Sequence, residues 1–302
     1  MDNQPDSSGN EWTILKLLKW TTSYFKSHKI ESPRPGAEIL LASILEINRI
    51  DLYLRYDQPL NRDELDKFKA LIKRRVKREP VAYITGVKGF WSLNLAVTKD
   101  VLIPRPETEC LVEAALSFLP AGFGSDSNFS PKRILDLGTG TGAIILALSS
   151  EQSGHLFFAS DCSVKAIKVA KENAKRNNLN ETVCFFVGDW FSPINDKKAF
   201  FDIIISNPPY IQTGALCSLQ PEIYEYEPGI ALDGDEDGLS SLRRIISSAH
   251  IYLNRQGNLF LEIGHDQKDA VGKIIDDSKR YDDVVFSKDY SGNDRVVRMR
   301  KK

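Results

Sequence analysis

Apolar positions follow three successive patterns along the chain. Up to about residue 79 the period is helical. In EWTILKLLKWTTSYFKSHK, Trp12, Leu15, Leu18, Lys19 and Thr22 fall near helical spacing, and Ile14, Leu17 and Phe25 broaden the apolar face. Ser32-Pro33-Arg34-Pro35 is expected to break the chain, because proline lacks a backbone N–H. AEILLASILEI then resumes a helix, and NRDELDKFKALIKRRVKRE reads as a long charged one opened by Asn61 as its cap. A small helical bundle is therefore expected over residues 1–79. From Pro80 the pattern changes. VAYITGVKGFWSLNLAVTKDVLIP is rich in β-branched and aromatic residues, with Gly86 and Gly89 around an expected turn, which predicts a β-hairpin connector over 80–104.

The third pattern begins after PRPETE. ETECLVEAALSFL reads as a helix, and a loop of Gly, Ser, Asp and Pro covers 121–132. KRILDLG, HLFFASD, TVCFFVGD, FFDIIIS and GNLFLEIG then read as strands. AIILALSS, SVKAIKVAKENAKRNN, LSSLRRIISSAHIYL and DQKDAVGKIIDDS read as the helices among them, and DDVVFSKD and RVVRMR close the chain. Short apolar strands alternating with amphipathic helices predict an α/β fold with a mostly parallel, doubly wound sheet over 105–302.

Composition narrows the class. The length of 302 residues suits one large domain with a smaller one, and a net charge of −1 supplies no field toward nucleic acid or a membrane surface. The start, MDNQPDSSGNEW, is polar and acidic, without an apolar leader or an Arg-rich amphipathic segment. With no run of 18 apolar residues, the protein reads as cytoplasmic. Cys110, Cys162, Cys184 and Cys217 form no CxxC pair and stand beside no histidines at ligand spacing, so no metal site is expected. They are expected to be small buried hydrophobes in a reducing compartment.

Chemistry gathers at the ends of the expected strands. Gly138-Thr139-Gly140-Thr141-Gly142 follows the first strand and opens a helix, where glycines let a backbone approach a ligand closely. Such a loop can also be only a tight turn. Read as GxGxxA ending at Ala143, it leaves a dinucleotide site open. Asp161, about 20 residues on, stands where an acid accepts from ribose hydroxyls, or where it caps the helix beginning at Ser163, or both. Asp136 lies two residues before the first glycine, where an acid repels a pyrophosphate and suits a cationic ligand. S-adenosylmethionine carries an ammonium and a sulfonium and no phosphate, so Asp136 points away from a nicotinamide cofactor. Asp189-Trp190 ends the third strand, where an acid can accept from an exocyclic amine and a ring can stack on adenine, or where both form a surface turn.

SNPPY, residues 206–210, ends the fourth strand. Its two prolines make a stiff corner that offers carbonyl oxygens and few backbone donors. The Asn207 side-chain oxygen and the Pro208 carbonyl can accept both N–H bonds of a planar amide or aniline-type nitrogen. That orients a poor nucleophile toward an S–CH₃ bond and stabilises the positive charge that develops. Pro209 stiffens the corner and Tyr210 can pack on the flat target group. No general base is evident, and none is required if the proton leaves after transfer. The competing reading is a proline turn without chemistry.

In the order DLGTGTG, ASD, GDW, SNPPY the chain resembles S-adenosylmethionine-dependent amino-methyltransferases, a set that includes DNA adenine enzymes. EPVAYITG, FWSLNLAV, VLIPRPETE, YEPGIALDGDEDGL and LEIGHDQ, together with the helical N-terminal region, resemble the HemK/PrmC family of protein-(glutamine-N5) methyltransferases acting on peptide chain release factors. The resemblance runs from about Ser32 to the end. It implies a Rossmann-like S-adenosylmethionine methyltransferase sheet with a small N-terminal helical-bundle domain that docks the substrate protein. By resemblance, Gly138, Thr139, Gly140, Thr141, Gly142 and Asp161 would hold the amino-acid and ribose parts of the cofactor, beside Asp136. Asp189 and Trp190 would meet its adenine side, with Asn207 also at the cofactor. Asn207, Pro208, Pro209 and Tyr210 would hold the substrate glutamine, with Asn207, Pro208 and Tyr210 at the reaction.

Arg105 and Glu107 of IPRPETE would line the site, or form an ion pair pinning the connector to the sheet. Gly89 stands where an acid is frequent in the family, and Ser92 where Gly is common, which touches only the connector. The run KRRVKR at 73–78 reads first as a solvated helix face and second as a dock for an acidic partner. The resemblance implies a monomer that methylates the glutamine of the Gly-Gly-Gln motif in class I release factors, without direct nucleic-acid or membrane binding. A ribosomal-protein glutamine methyltransferase is the nearer alternative. A DNA adenine methyltransferase is the farther one, since the chain lacks a target-recognition domain and a basic surface.

Overall fold

The structure, a computed structural model, describes residues 11–119, 130–194 and 199–302. The polar start over 1–10 and most of the loop expected over 121–132 lie outside these residues. The chain divides into two units. One runs to Gly86 and takes in Pro221–Tyr226, and the other comprises Val87–Gln220 and Glu227–Lys302.

The first unit is helical. It contains α1 (Ile14–Ser27), α2 (Pro33–Leu45), α3 (Asp51–Leu54), α4 (Arg62–Val76) and α5 (Val81–Thr85). The prolines expected to interrupt the chain instead open α2. Pro33 occupies the first turn, where its missing N–H would be unpaired anyway, and the break falls at Ser32, whose φ is 47°. Asn61 caps α4 in a reciprocal box with Glu64, at 2.9 and 2.8 Å. Residues 81–85, expected within the hairpin, form α5, which ends where Gly86 turns left-handed at φ 74°. Ile14, Phe25, Leu40, Leu41, Leu52 and Phe68 form the core. The basic run is a solvated face only in part. Arg75 is buried and pairs with Glu222 at 2.7 Å, Arg78 reaches the same carboxylate, and Arg74 pairs with Glu79. Lys73, Arg74 and Lys77 are exposed.

The second unit opens with a hairpin of β1 (Val87–Phe90) and β2 (Leu93–Ala96). Its turn is Trp91-Ser92 rather than Gly86 and Gly89: Gly89 pairs with Asn94 inside the ladder, and Trp91 takes φ 55°. That strained position is held by Glu109, which accepts the Trp91 N–H, and by Glu151, which accepts the indole N–H. The chain continues through a 3-10 turn (Pro106–Thr108), α6 (Glu109–Leu116), β3 (Arg133–Leu137), α7 (Ala143–Glu151), β4 (Leu156–Asp161), α8 (Val164–Arg176), β5 (Val183–Val187) and β6 (Phe201–Ser206). It then passes through α9 (Pro221–Tyr224), which belongs to the helical unit, and returns with α10 (Ser240–Tyr252), β7 (Leu253–Glu262), α11 (Lys268–Ser278), β8 (Tyr281–Lys288) and β9 (Asp294–Lys301).

The seven strands lie in the order β5-β4-β3-β6-β7-β9-β8, parallel except around β9. Helices cover both faces. Leu111 and Ile145 pack on one side, and Leu242, Ile246 and Val271 on the other. The strand order reverses between β3 and β6, and ligands of open α/β sheets sit at the carboxyl edge of such a switch point. Leu137 pairs with Ser206 there, so the glycine loop and SNPPY leave neighbouring strands at one level.

The cysteines depart from expectation. Cys110 alone is buried. Cys162 lies in the turn after β4, Cys184 faces outward on the edge strand β5, and Cys217 sits in a 3-10 turn. Among the described residues no helix is long and apolar enough to cross a membrane.

Candidate active site

The glycine loop is shaped by its own backbone. Gly138, Gly140 and Gly142 take φ of 73°, 55° and 82°, a region that disfavours side chains. A Cβ on Gly140 would meet nothing within 4 Å, so that edge is open, whereas one on Gly142 would press on Leu146 and Ala170 where α7 packs against α8. The N–H groups of Gly138 and Thr139 both donate to the Ser160 carbonyl at 2.9 Å, which hangs the loop on β4. Asp161 then fastens it: Oδ2 accepts from the Gly140 N–H at 2.9 Å, and Oδ1 accepts from the Ser163 N–H at 2.8 Å at the start of α8. The cap of α8 is instead Ser163, whose hydroxyl accepts from the Ala166 N–H, so Asp161 holds the turn before the helix together with the loop. Asn173 on α8 was not singled out by sequence. Fully buried, it donates to the Thr141 and Ala96 carbonyls and accepts from the Ala96 N–H, joining loop and hairpin.

Asp136, inside β3, is fully buried. Oδ2 accepts from the Thr139 hydroxyl at 2.6 Å, and Oδ1 has no hydrogen-bond partner among the described residues. Burial pushes its pKa up to about 7 against the opposing Thr139 hydrogen bond, and the charge of Asp161 adds to the rise. Trp190, with φ 51°, is half-buried, and its ring lies 3.8 Å from where a Gly138 Cβ would stand. Asp189 is exposed, and both its oxygens already receive Arg244 of α10, at 3.2 and 2.6 Å.

SNPPY is held by side chains from distant segments. The Ser206 hydroxyl donates to the Leu137 carbonyl at 2.6 Å, locking β6 to β3 at the edge. The Asn207 Nδ2 donates to the Thr108 hydroxyl at 3.1 Å. No described group donates to its Oδ1 or to the Pro208 carbonyl. The Tyr210 hydroxyl donates to Glu262 Oε1 at 3.1 Å, and burial with that carboxyl raises its pKa. The Tyr210 carbonyl accepts from Gln267 Nε2 at 3.0 Å. Gln267 also donates to the Gly238 carbonyl and accepts from the Gly264 N–H. Gly238 has φ 73°, and a Cβ there would lie 2.5 Å from the Tyr210 oxygen.

Glu262 is fully buried at the end of β7, and its Oε2 has no hydrogen-bond partner. Burial pushes it up to about 7, opposed by the Thr108 hydroxyl and by Arg295. Arg105 pairs not with Glu107 but with the buried Glu227 at 2.5 Å, whose second oxygen accepts from the Ile103 N–H. Glu107 is exposed. Thr108, Glu262 and Gln267 lie in VLIPRPETE and LEIGHDQ, stretches marked by resemblance but not resolved into individual residues.

Known proteins resemble the chain throughout. Residues 16–86 match the PrmC N-terminal domain and residues 121–220 the methyltransferase small domain. The release factor glutamine methyltransferase of Geobacter sulfurreducens is 40% identical over 286 residues, covering 95% of this chain and 96% of that one. That of Buchnera aphidicola subsp. Schizaphis graminum is 44% identical over 295 residues, covering 97% and 99%. The crystal structure of a methyltransferase from Pyrococcus furiosus superposes with a TM-score of 0.50 at 19% identity, over 77% of this chain and 97% of that one, a likeness of fold. With such identity over nearly its whole length, the chain belongs to the release factor glutamine methyltransferase family.

Proposed function

We propose that the protein transfers a methyl group from S-adenosylmethionine to the side-chain amide nitrogen of the glutamine in the Gly-Gly-Gln motif of class I peptide chain release factors. The observation that carries this is the Asn207 amide. Its Nδ2 is committed to Thr108, while its Oδ1 and the Pro208 carbonyl are unclaimed beside the glycine loop.

The residues fit the cofactor. The unpartnered Asp136 Oδ1 is a buried acceptor suited to the ammonium, the open side of Gly140 admits close backbone approach, and Asp161 stands at the ribose position. Trp190 flanks the adenine side. Asp189 enters that role only with Arg244 beside it. When bound, S-adenosylmethionine supplies an electrophilic methyl group on a sulfonium.

The chain's own residues do the rest. Asn207 Oδ1 and the Pro208 carbonyl accept both N–H bonds of the glutamine amide, which fixes the nitrogen's direction and lowers the entropy to be lost at the transition state. As the nitrogen becomes positive, the same oxygens stabilise it without reorganising, because Pro208, Pro209 and Thr108 hold them. Tyr210, anchored at its hydroxyl by Glu262, presents its ring as a wall for the flat amide. The methylated nitrogen loses one proton, and the neutral amide is restored.

Residues 1–79 serve as the docking domain, 80–104 as the connector and 105–302 as the methyltransferase domain of a cytoplasmic monomer. Relatives matched from end to end are named for release factors, which disfavours a ribosomal protein or DNA adenine as substrate. The test is incubation with isotopically labelled S-adenosylmethionine and purified release factors, ribosomal proteins and DNA in parallel. One methyl on the Gly-Gly-Gln glutamine, mapped by mass spectrometry, is the expected result. Label on ribosomal protein or DNA alone would overturn the reading.

A further inference from the structure

A buried amide on α8 has no part in the reaction as derived. Asn173 is 0% exposed, and a polar side chain in such a place is costly unless its hydrogen-bonding groups are met. Nδ2 donates one hydrogen to the Thr141 carbonyl at 2.9 Å and the other to the Ala96 carbonyl at 3.0 Å, while Oδ1 accepts from the Ala96 N–H at 2.6 Å. The amide cannot turn over, because its oxygen would then face two carbonyls and its NH₂ an N–H.

Helical spacing puts Asn173 in this place. Ala166, Val169, Asn173 and Asn177 recur three or four residues apart and so share one face of α8 and its end. Val101 packs on Ala166 and Val169, and Asn177 donates to the Asn94 carbonyl at 3.3 Å. The chain from β2 onward therefore lies along this face, and Asn173 is where it meets the glycine loop.

Thr141 stands in that loop between Gly140 and Gly142, which take φ of 55° and 82°. Glycines let the adjoining peptide planes turn at little steric cost, so the plane joining Thr141 to Gly142 must be held by hydrogen bonds. Among the described residues two hold it. Its carbonyl accepts from Asn173, and its N–H donates to the Thr139 carbonyl at 2.8 Å. Without Asn173 the plane is held at one end only. The loop then spends part of its time in other shapes, and a ligand that needs the observed shape binds more weakly in proportion.

We infer that Asn173 is a positioning residue for cofactor binding: it holds the Thr141 peptide of the glycine loop in its binding shape and ties that shape to Ala96 at the end of the hairpin. The inference rests on the cofactor placement proposed above and adds to it a link from the loop, through α8, to the connector.

The experiment is calorimetric binding of S-adenosylmethionine to the full-length wild type and its Asn173→Asp, Asn173→Leu, Val271→Ala and Gly140→Val variants, with a denaturant midpoint for each. Asn173→Asp keeps the shape and an acceptor for the Ala96 N–H, but turns an oxygen toward the Thr141 and Ala96 carbonyls. Either Asn173 variant should raise the dissociation constant by about tenfold or more, the order expected when a buried acceptor is left unmet. Val271→Ala, a core truncation on the opposite face of the sheet, should lower the midpoint yet keep the dissociation constant within about twofold of the wild type. A purely structural Asn173 would behave in the same way, so Asn173 variants with wild-type affinity overturn the inference. If neither Asn173 variant folds, hydrogen exchange in the wild type decides. Saturating cofactor should slow exchange of the Ala96 amide about tenfold or more. It should slow the Arg133 amide less, because that amide's side-chain acceptor, Asp202, lies at the other end of β3. Equal slowing at Ala96 and Arg133 overturns the inference. Gly140→Val puts a side chain on the open side of the loop and should abolish binding. Retained binding there defeats the cofactor placement itself, a result distinct from a Gly140-sensitive protein with indifferent Asn173 variants.

Discussion

The glycine loop and the SNPPY corner leave adjacent strands at one level, yet they are made in opposite ways. The loop takes its shape from residues without side chains, and its chief fastener, Asp161, lies 21 positions from Gly140 at the end of the neighbouring strand. The corner takes its stiffness from two prolines but its orientation from afar: Thr108 stands 99 positions before Asn207, and Gln267 stands 57 after Tyr210. A cofactor common to many enzymes can be held by backbone and one or two acids. The corner proposed to receive a substrate amide is instead held by segments far apart in the chain.

The contrast can be broken at either end, and four outcomes, ordered by size, would sharpen it. Asn207→Ala removes an acceptor at the corner and should cost the transfer step about 2.7–4 kcal/mol, some 10²- to 10³-fold in single-turnover rate. Calorimetric affinity for S-adenosylmethionine should stay near the wild-type value, and near-normal transfer would return SNPPY to a structural turn. The converse is Asp161→Ala, which takes from the loop its tether and, on the proposed reading, the ribose acceptor. Cofactor binding should weaken by about 1.5–3 kcal/mol, while transfer at saturating cofactor falls far less. An unchanged dissociation constant would leave Asp161 only as a tether of the loop.

Gly238→Ala tests the corner's fastening apart from its chemistry. At φ 73°, with the Tyr210 oxygen 2.5 Å from the new Cβ, the substitution should lower stability by about 1–3 kcal/mol in denaturant melts. Activity should fall along with stability, and an unshifted midpoint would show that the Gln267 junction is slack. The smallest effect is a pH dependence on the loop side. Asp136 has a folded pKa near 7, above its ordinary 3.8, so between those values the native state holds a proton that the unfolded chain has released. Its contribution to stability therefore declines as pH rises through that window and levels off above about 7. An ammonium against Oδ1 favours the ionised form, so cofactor affinity should drop toward about tenfold per pH unit below 7. Calorimetry from pH 5.5 to 8 should show this in the wild type and a flatter profile in Asp136→Asn; parallel profiles would remove Asp136 from the ammonium site.

The two regions also differ in how far the residues announce them. Glycines that need positive φ and acids at strand ends are local requirements, so the loop, the doubly wound sheet and the SNPPY turn could be read directly. Thr108, Glu262 and Gln267 could not, because a threonine, a glutamate or a glutamine carries no local mark of the partner it meets after folding. Misreadings elsewhere have the same origin. The prolines were expected to lie in the break between two helices, yet the break ends at Ser32 and Pro33 starts the second helix, in the first turn where no N–H is needed. The hairpin turn was expected at glycines, yet Trp91 takes the positive φ because Glu109 and Glu151 hold its two N–H groups. Arg75 looked solvated because Glu222, its partner, lies 147 positions away.

That last distance bears on how the protein is made. Chains emerge from the ribosome at about 5–20 residues per second, so roughly 7–30 s separate the synthesis of Arg75 from that of Glu222. Throughout that interval the chain lacks α9 and with it the acid that pairs with Arg75 and Arg78. The helical unit is therefore the first to be started in synthesis, yet its last segment appears only after β6 and the SNPPY corner have been made.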